Sequence, residues 1–258
     1  MNLSSLSLAG KKGLVVGIAN DQSIAYGCAL AMQSLGASLA LTYFNAKAEP
    51  HVRPLAEQLN AEIVMPLDVE KTEQLTELFE QISLRWGKLD FLLHSIAFAP
   101  AADLQGRMVD SSAEGFARAM DISCHSFIRM AKMAEPLMAH GGTLVTMSYY
   151  GAQKVVDNYG IMGPVKAALE ASVRYLAAEL GPAGIRVHAV SPGPIRTRAA
   201  SGIGDFEKLL DEAASRAPQH QLVGTADVGA VTAMLCTDAA QALTGSVIFV
   251  DAGYHIMG

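Results

Sequence analysis

Short apolar runs recur along this chain, and between them apolar residues return every three or four positions. The first run, Gly13-Leu14-Val15-Val16-Gly17, reads as a buried strand. Ile24, Cys28, Ala31, Met32 and Leu35 then form one stripe of a helix over residues 23–35, which Gly36 stops. A second strand is predicted at 38–43, a helix at 52–59, and a third strand at 62–67 ending at Asp68. Leu75, Leu78, Phe79 and Ile82 mark a helix over 72–86, followed by a fourth strand at 89–94. A long helix is predicted over 113–138, a fifth strand at 143–147, and a helix over 165–180 that Gly181-Pro182-Ala183-Gly184 ends. Strands six and seven fall at 185–190 and 246–250.

Strands that alternate with helices along the whole chain predict an α/β fold: a doubly wound, seven-stranded parallel sheet with helices on both faces. No linker or repeat divides residues 1–258, so one domain is expected. The interruption at about 196–221 carries a short amphipathic piece at 206–214, between Gly204 and Pro218. Following a strand end, it is expected to cover the crevice at the carboxyl edge of the sheet as a substrate lid.

Composition narrows the function. Hydrophobic residues make up 51% of 258 and charged residues 17%, as suits a sheet covered on both faces. A net charge of −6 lacks the basic footprint of a nucleic-acid binder. Cys28, Cys124 and Cys236 are far apart and show no metal or redox spacing, so buried thiols and no metal site are expected. No apolar run is long enough to cross a bilayer, and residues 1–12 do not read as a signal peptide; a cytoplasmic location without membrane insertion is the expectation.

The candidate chemistry lies at strand ends. Gly17 to Gly27 follows the first strand and opens the first helix, where backbone amides and the helix dipole suit a pyrophosphate. It is not G-x-G-x-x-G, because Ser23 and Ile24 occupy the tight part; a plain strand–helix turn with Ser23 as N-cap reads as well locally. Asp68-Val69 ends the third strand, where a carboxylate can meet an adenine amino group or cap a helix. Tyr43-Phe44-Asn45 ends the second and carries no acid for a ribose 2′-hydroxyl and no arginine, though Lys47 is near; Phe44 can stack beside an adenine. His94-Ser95-Ile96, Ser148-Tyr149-Tyr150 and Ser191-Pro192-Gly193-Pro194-Ile195 end strands four to six, so all meet one crevice. Tyr159 and Lys166 lie beside it. Their separation, 166 − 159 = 7, puts both on one helical face at about 3.6 residues per turn. Pro164, tolerated only in a first turn, would instead start the helix near Gly163 and leave Tyr159 on its approach. His94 and His125 tempt as acid–base groups, but His94 reads as a packed strand-end residue.

The set Ser23-Ile24-Ala25-Tyr26-Gly27, His94-Ser95-Ile96, Tyr149 with Tyr159 and Lys166, and Pro194-Ile195-Arg196-Thr197-Arg198-Ala199-Ala200-Ser201-Gly202 resembles the bacterial enoyl-acyl-carrier-protein reductases, the divergent branch of the short-chain dehydrogenase/reductase family. The resemblance covers essentially the whole chain. It implies a Rossmann-like fold and hydride transfer from NADH, with NADPH as the alternative donor, to a trans-2-enoyl thioester carried on acyl carrier protein. Tyr159 would hydrogen-bond the thioester oxygen, Lys166 would hold the nicotinamide ribose, and Tyr149 would line the acyl pocket and assist. Gly17, Ser23, Ile24, Phe44, Asp68, Val69, Ile96, Lys166, Ile195, Arg196, Thr197, Arg198 and Ala199 would hold the dinucleotide; Ala99, with both tyrosines, would touch substrate. A homotetramer is implied as well.

This chain departs from the family at several points. Phe44 stands where many members are polar. Ala97 replaces a common glycine, and its methyl group is expected to crowd the site of diphenyl-ether inhibitors. Glu207, Asp211 and Glu212 against Lys208 make the lid piece acidic where the family is often basic. Met162 occupies the tyrosine position of ordinary short-chain dehydrogenases, whose spacing is Y-x-x-x-K. A ketone or hydroxyl dehydrogenase and a silent dinucleotide sensor are the competing readings; Met162 argues against the first, the retained Tyr159 and Lys166 against the second.

Overall fold

A computed structural model describes residues 3–197 and 204–257. In chain order the principal elements are β1 (Lys12–Val16), α1 (Ile24–Ser34), β2 (Ser38–Tyr43), α2 (Glu49–Gln58), β3 (Ile63–Pro66), α3 (Thr72–Trp86) and β4 (Phe91–His94). They continue with α4 (Ala101–Leu104), α5 (Ala113–Met120), α6 (Ser126–Ala134), β5 (Gly142–Met147), α7 (Met162–Leu180), β6 (Ile185–Pro192), α8 (Phe206–Arg216), α9 (Thr225–Leu235) and β7 (Ser246–Val250).

All seven strands pair in parallel, in the order β3-β2-β1-β4-β5-β6-β7. The winding therefore reverses between β1 and β4, and a crevice opens at their carboxyl ends. Successive side chains of a strand face opposite sides, and the core divides accordingly. Leu14 and Val16 pack with α3, α6 and α7 on one face. Val15 packs with α1, α2 and α9 on the other.

Several predicted elements change on folding. The helix expected over 113–138 is broken: α5 passes through a π-helical turn, Asp121–His125, into α6, and a 3-10 turn, Glu135–Leu137, closes it. Apolar periodicity persists through such a turn, so the sequence hides it. α2 starts at Glu49 rather than 52, with Pro50 in its first turn, where a missing N–H costs nothing. Sequence reasoning missed α9, whose small and apolar residues run around the helix without a stripe. Its place is set by two glycines: a Cβ on Gly27 would lie 2.5 Å from Thr225 O, and one on Gly229 2.4 Å from Gly27 O. α1 and α9 thus meet backbone to backbone. The three cysteines are buried free thiols.

Candidate active site

β1 and β4 touch where the sheet reverses. Ser95 N–H donates to Val16 O at 3.0 Å, and Gly17 has φ +109°. A Cβ on Gly17 would lie 2.0 Å from Ser95 O, so only glycine fits. The loop that follows is held from within. Ser23 Oγ accepts from Ala19 N–H (3.0 Å) and Asn20 N–H (3.1 Å) and donates to Asn20 Oδ1 (3.2 Å). Ser23 precedes α1 but its side chain makes no cap, contrary to the plain N-cap reading: the hydroxyl is engaged by the loop behind it.

Beside this loop lies a cavity of about 420 Å³. Ile24, Ser95, Ile96, Ala97, Ala99, Tyr149, Tyr159, Lys166, Ile195 and Thr197 all line it, from five separate chain segments. Leu104, Met147, Met162 and Phe206 join them, unforeseen as site residues. Phe206 is the first residue of α8, so that helix begins at the cavity wall.

Gly17, Ser23, Phe44, Asp68 and Val69 are not on this wall; they follow the carboxyl ends of β1, β2 and β3, further along the same edge of the sheet. Phe44 is exposed and Val69 buried. Asp68 Oδ1 accepts from Glu70 N–H at 3.1 Å, and its carboxylate sits 3.8 Å from Lys71 Nζ. It does not cap α3, whose first flanking residue is Lys71. Arg196 is exposed and paired with Glu207 of α8. Arg198 and Ala199 lie outside the described residues.

Tyr159 is not on a helix. Asn158 (φ +60°) and Gly160 (φ +47°) turn the chain on either side of it, and α7 begins only at Met162. The seven-residue spacing is therefore not two helical turns; Pro164 in the first turn marks the start of α7. The Tyr159 ring lies against Gly151, where a Cβ would approach to 2.4 Å. Both Tyr159 and Lys166 are nonetheless buried at the cavity, 8% and 4% exposed. Burial raises the Tyr159 phenol well above its ordinary value, with smaller contributions from Tyr149 and Glu170. Burial lowers Lys166 to about 8, opposed by Cys124 and Glu170. Lys166 Nζ donates to Met147 O at 2.7 Å. Tyr149 follows β5 in extended conformation, and its buried hydroxyl has no hydrogen-bond partner among the described residues. Tyr150 turns away to pack on Tyr254, 5.4 Å between ring centroids.

The π-helical turn braces the β4 end. Ser123 Oγ accepts from Phe98 N–H (2.9 Å) and donates to Phe98 O (3.0 Å), which holds the wall that carries Ala97 and Ala99. His94 is fully buried, with Nδ1 2.9 Å from Thr146 Oγ1 and Nε2 2.7 Å from Ser126 Oγ. Burial, then the Lys166 charge, lowers it to about 3, so it is a neutral packed residue as expected. His125 is exposed beside Asp121 and Arg129, away from the cavity wall.

A parallel sheet with a crevice at its reversal, a glycine-tight first turn and a buried Tyr/Lys pair define a Rossmann-like oxidoreductase of the short-chain dehydrogenase type. Residues 17–255 match the family model described as "Enoyl-(Acyl carrier protein) reductase". An enoyl-[acyl-carrier-protein] reductase [NADH] of Rickettsia conorii is 45% identical over 251 residues, 97% of this chain and 96% of that protein. The solved Anaplasma phagocytophilum enoyl-(acyl-carrier-protein) reductase in complex with NAD has 45% identity and a TM-score of 0.94, over 97% of this chain and 96% of that one. The Bacillus cereus enoyl-acyl carrier protein reductase with NADP+ and indole naphthyridinone gives 45% and 0.95, over 97% and 98%. The chain belongs to the enoyl-acyl-carrier-protein reductase family.

Proposed function

We propose that this protein reduces trans-2-enoyl thioesters on acyl carrier protein to acyl thioesters, with NADH as donor, in fatty acid elongation. The observation that carries the reading is one cavity lined by buried Tyr159 and Lys166 and by Tyr149, whose hydroxyl is buried, in a chain of this family.

The residues suit a nicotinamide dinucleotide. The Gly17 turn leaves room for backbone alone, and Lys166 uses one of its three N–H donors on Met147 O. The two tyrosine hydroxyls make no hydrogen bond to described residues, so they are available to ligand. The bound nicotinamide supplies the hydride. Tyr159 donates a hydrogen bond to the thioester oxygen as negative charge develops there. Its raised pKa keeps it a donor throughout the physiological range. Lys166 would hold the ribose hydroxyls and add positive charge near that oxygen; Tyr149 would orient the acyl chain against Tyr159. Gly17, Ser23, Ile24, Ile96, Ile195, Arg196 and Thr197 would hold the pyrophosphate and nicotinamide end; Arg198 and Ala199, outside the described residues, belong to the same expected set. Phe44, Asp68 and Val69, further along the same sheet edge, would hold the adenosine end. Ala99 touches substrate.

The same reading makes residues 1–258 one reductase domain with its lid at about 196–221, working in the cytoplasm as a homotetramer. No described helix is long and apolar enough to cross a membrane. The acidic face of α8 leaves carrier docking to other basic residues, or favours coenzyme A thioesters.

The test is a nicotinamide absorbance assay with NADH and NADPH against crotonyl and dodecenoyl thioesters. Turnover with an enoyl thioester is expected. Turnover of a ketone with no oxidation by any enoyl chain would overturn the reading.

A further inference from the structure

α7 grips the end of β5 at two points one turn apart. Lys166 Nζ donates to Met147 O at 2.7 Å. Four residues on, Glu170 Oε1 accepts from Ser148 Oγ at 2.6 Å. Glu170 Oε2 accepts from Gln153 Nε2 at 3.0 Å. Both oxygens accept, the pattern of an ionised carboxylate. Glu170 is buried, 5% exposed; its two side-chain donors are neutral groups, and the cations near it are on its own helix, Lys166 one turn before and Arg174 one turn after, the latter donating to the Glu170 backbone carbonyl at 3.2 Å. A charge desolvated in this way is costly to keep, which asks for a reason.

Two consequences follow from its place. Ser148 and Gln153 bracket Tyr149, so the carboxylate fixes the short stretch that presents that ring. Lys166 shares the cavity wall with Tyr149 and Tyr159 and interacts electrostatically with Cys124 of the π-helical turn and His94 at the end of β4. Burial raises both phenols and the thiol and lowers the imidazole, so all four are neutral at pH 7. Of the described groups that act on the ammonium, Glu170 is then the one that can bring a negative charge, one turn along its own helix.

We propose that Glu170 is a positioning residue of this reductase site: its hydrogen bonds set Tyr149, and its charge keeps buried Lys166 protonated. The catalytic part of this rests on the function proposed above; the electrostatic part does not.

The test reads Lys166 directly. Protein with 13Cε-lysine is titrated by NMR without ligand, and Lys166→Met assigns the signal. Glu170→Gln, which keeps the shape and removes the charge, is expected to move the Lys166 midpoint down by about one pH unit, a tenfold change in the protonation equilibrium. Ser148→Ala removes one donor without altering charge and is expected to leave the midpoint in place while raising KM for the thioester. The alkaline limb of kcat/KM in Glu170→Gln should move with the NMR midpoint. An unmoved Lys166 midpoint in Glu170→Gln would overturn the proposal. So would a protonated Glu170 carboxyl carbon at pH 7 in the wild-type protein with 13C-glutamate, a measurement that stands even if the variant does not fold. A shifted midpoint in a protein that turns over no enoyl thioester would leave the electrostatic role intact and fail the proposed function instead.

Discussion

The rings of Tyr149 and Tyr159 meet edge to face, with centroids 4.9 Å apart and planes inclined at 62°. One side chain comes from the end of β5, the other from the turn before α7. Each ring restricts the other, and burial raises both phenols. The pair offers two fixed, protonated hydroxyls to one cavity. An oxygen that gains negative charge between them meets donors already oriented, so little reorganisation is needed.

Tyr159→Phe removes the proposed donor and leaves the edge-to-face contact. A loss of about 10²–10³-fold in kcat is expected, with nucleotide affinity nearly unchanged. Near-normal kcat in steady-state assays would show that Tyr159 is not the donor.

Lys166→Met is expected to inactivate the protein and yet stabilise it by about 2 kcal/mol at pH 7, after the lost bond to Met147 O. The sign follows from its lowered pKa. The unfolded chain keeps this proton to higher pH than the native protein does. Native stability therefore rises from pH about 8 toward 10.5, and is flat in this respect below 8. Urea melts of both proteins at pH 7 and pH 10 should show the difference narrowing. With Lys166 in the proposed role, which uses its protonated form, wild-type kcat/KM should fall above about pH 8.

Gly17→Ala places a Cβ 2.0 Å from the Ser95 carbonyl at a φ of +109°. The β1–β4 crevice must widen, at a cost of about 2–4 kcal/mol. Chemical denaturation and NADH titration should show lost stability and at least a tenfold weaker Kd.

Ala97→Gly tests the crowding expected from its methyl group, which does lie on the cavity wall. Diphenyl-ether inhibition should strengthen by about fivefold, the worth of one methyl group at about 1 kcal/mol. Equal inhibition of both proteins would remove the idea.

By itself, the sequence determined the sheet. Runs such as Leu14 to Val16 and Phe91 to Leu93 are apolar because both faces of a parallel strand are covered, and that pattern is local. It also marked the strand-end segments that meet at the crevice, since topology sends every carboxyl end of a parallel sheet to one edge. What local pattern cannot carry is a relation between distant segments. The π-helical turn at Asp121–His125 keeps the apolar spacing of a helix and shows itself only when Ser123 reaches Phe98. α9 has no stripe, and its place depends on Gly27 and Gly229 lying against each other's helices. Tyr159 and Lys166 were legible as a pair, but not how they meet. Tertiary structure decided that: left-handed backbone at Asn158 and Gly160 swings Tyr159 onto Gly151, while α7 delivers Lys166 to Met147. The reason is physical. Burial on a shared cavity, which sets both pKa values, comes from packing among segments that the chain brings together only by folding.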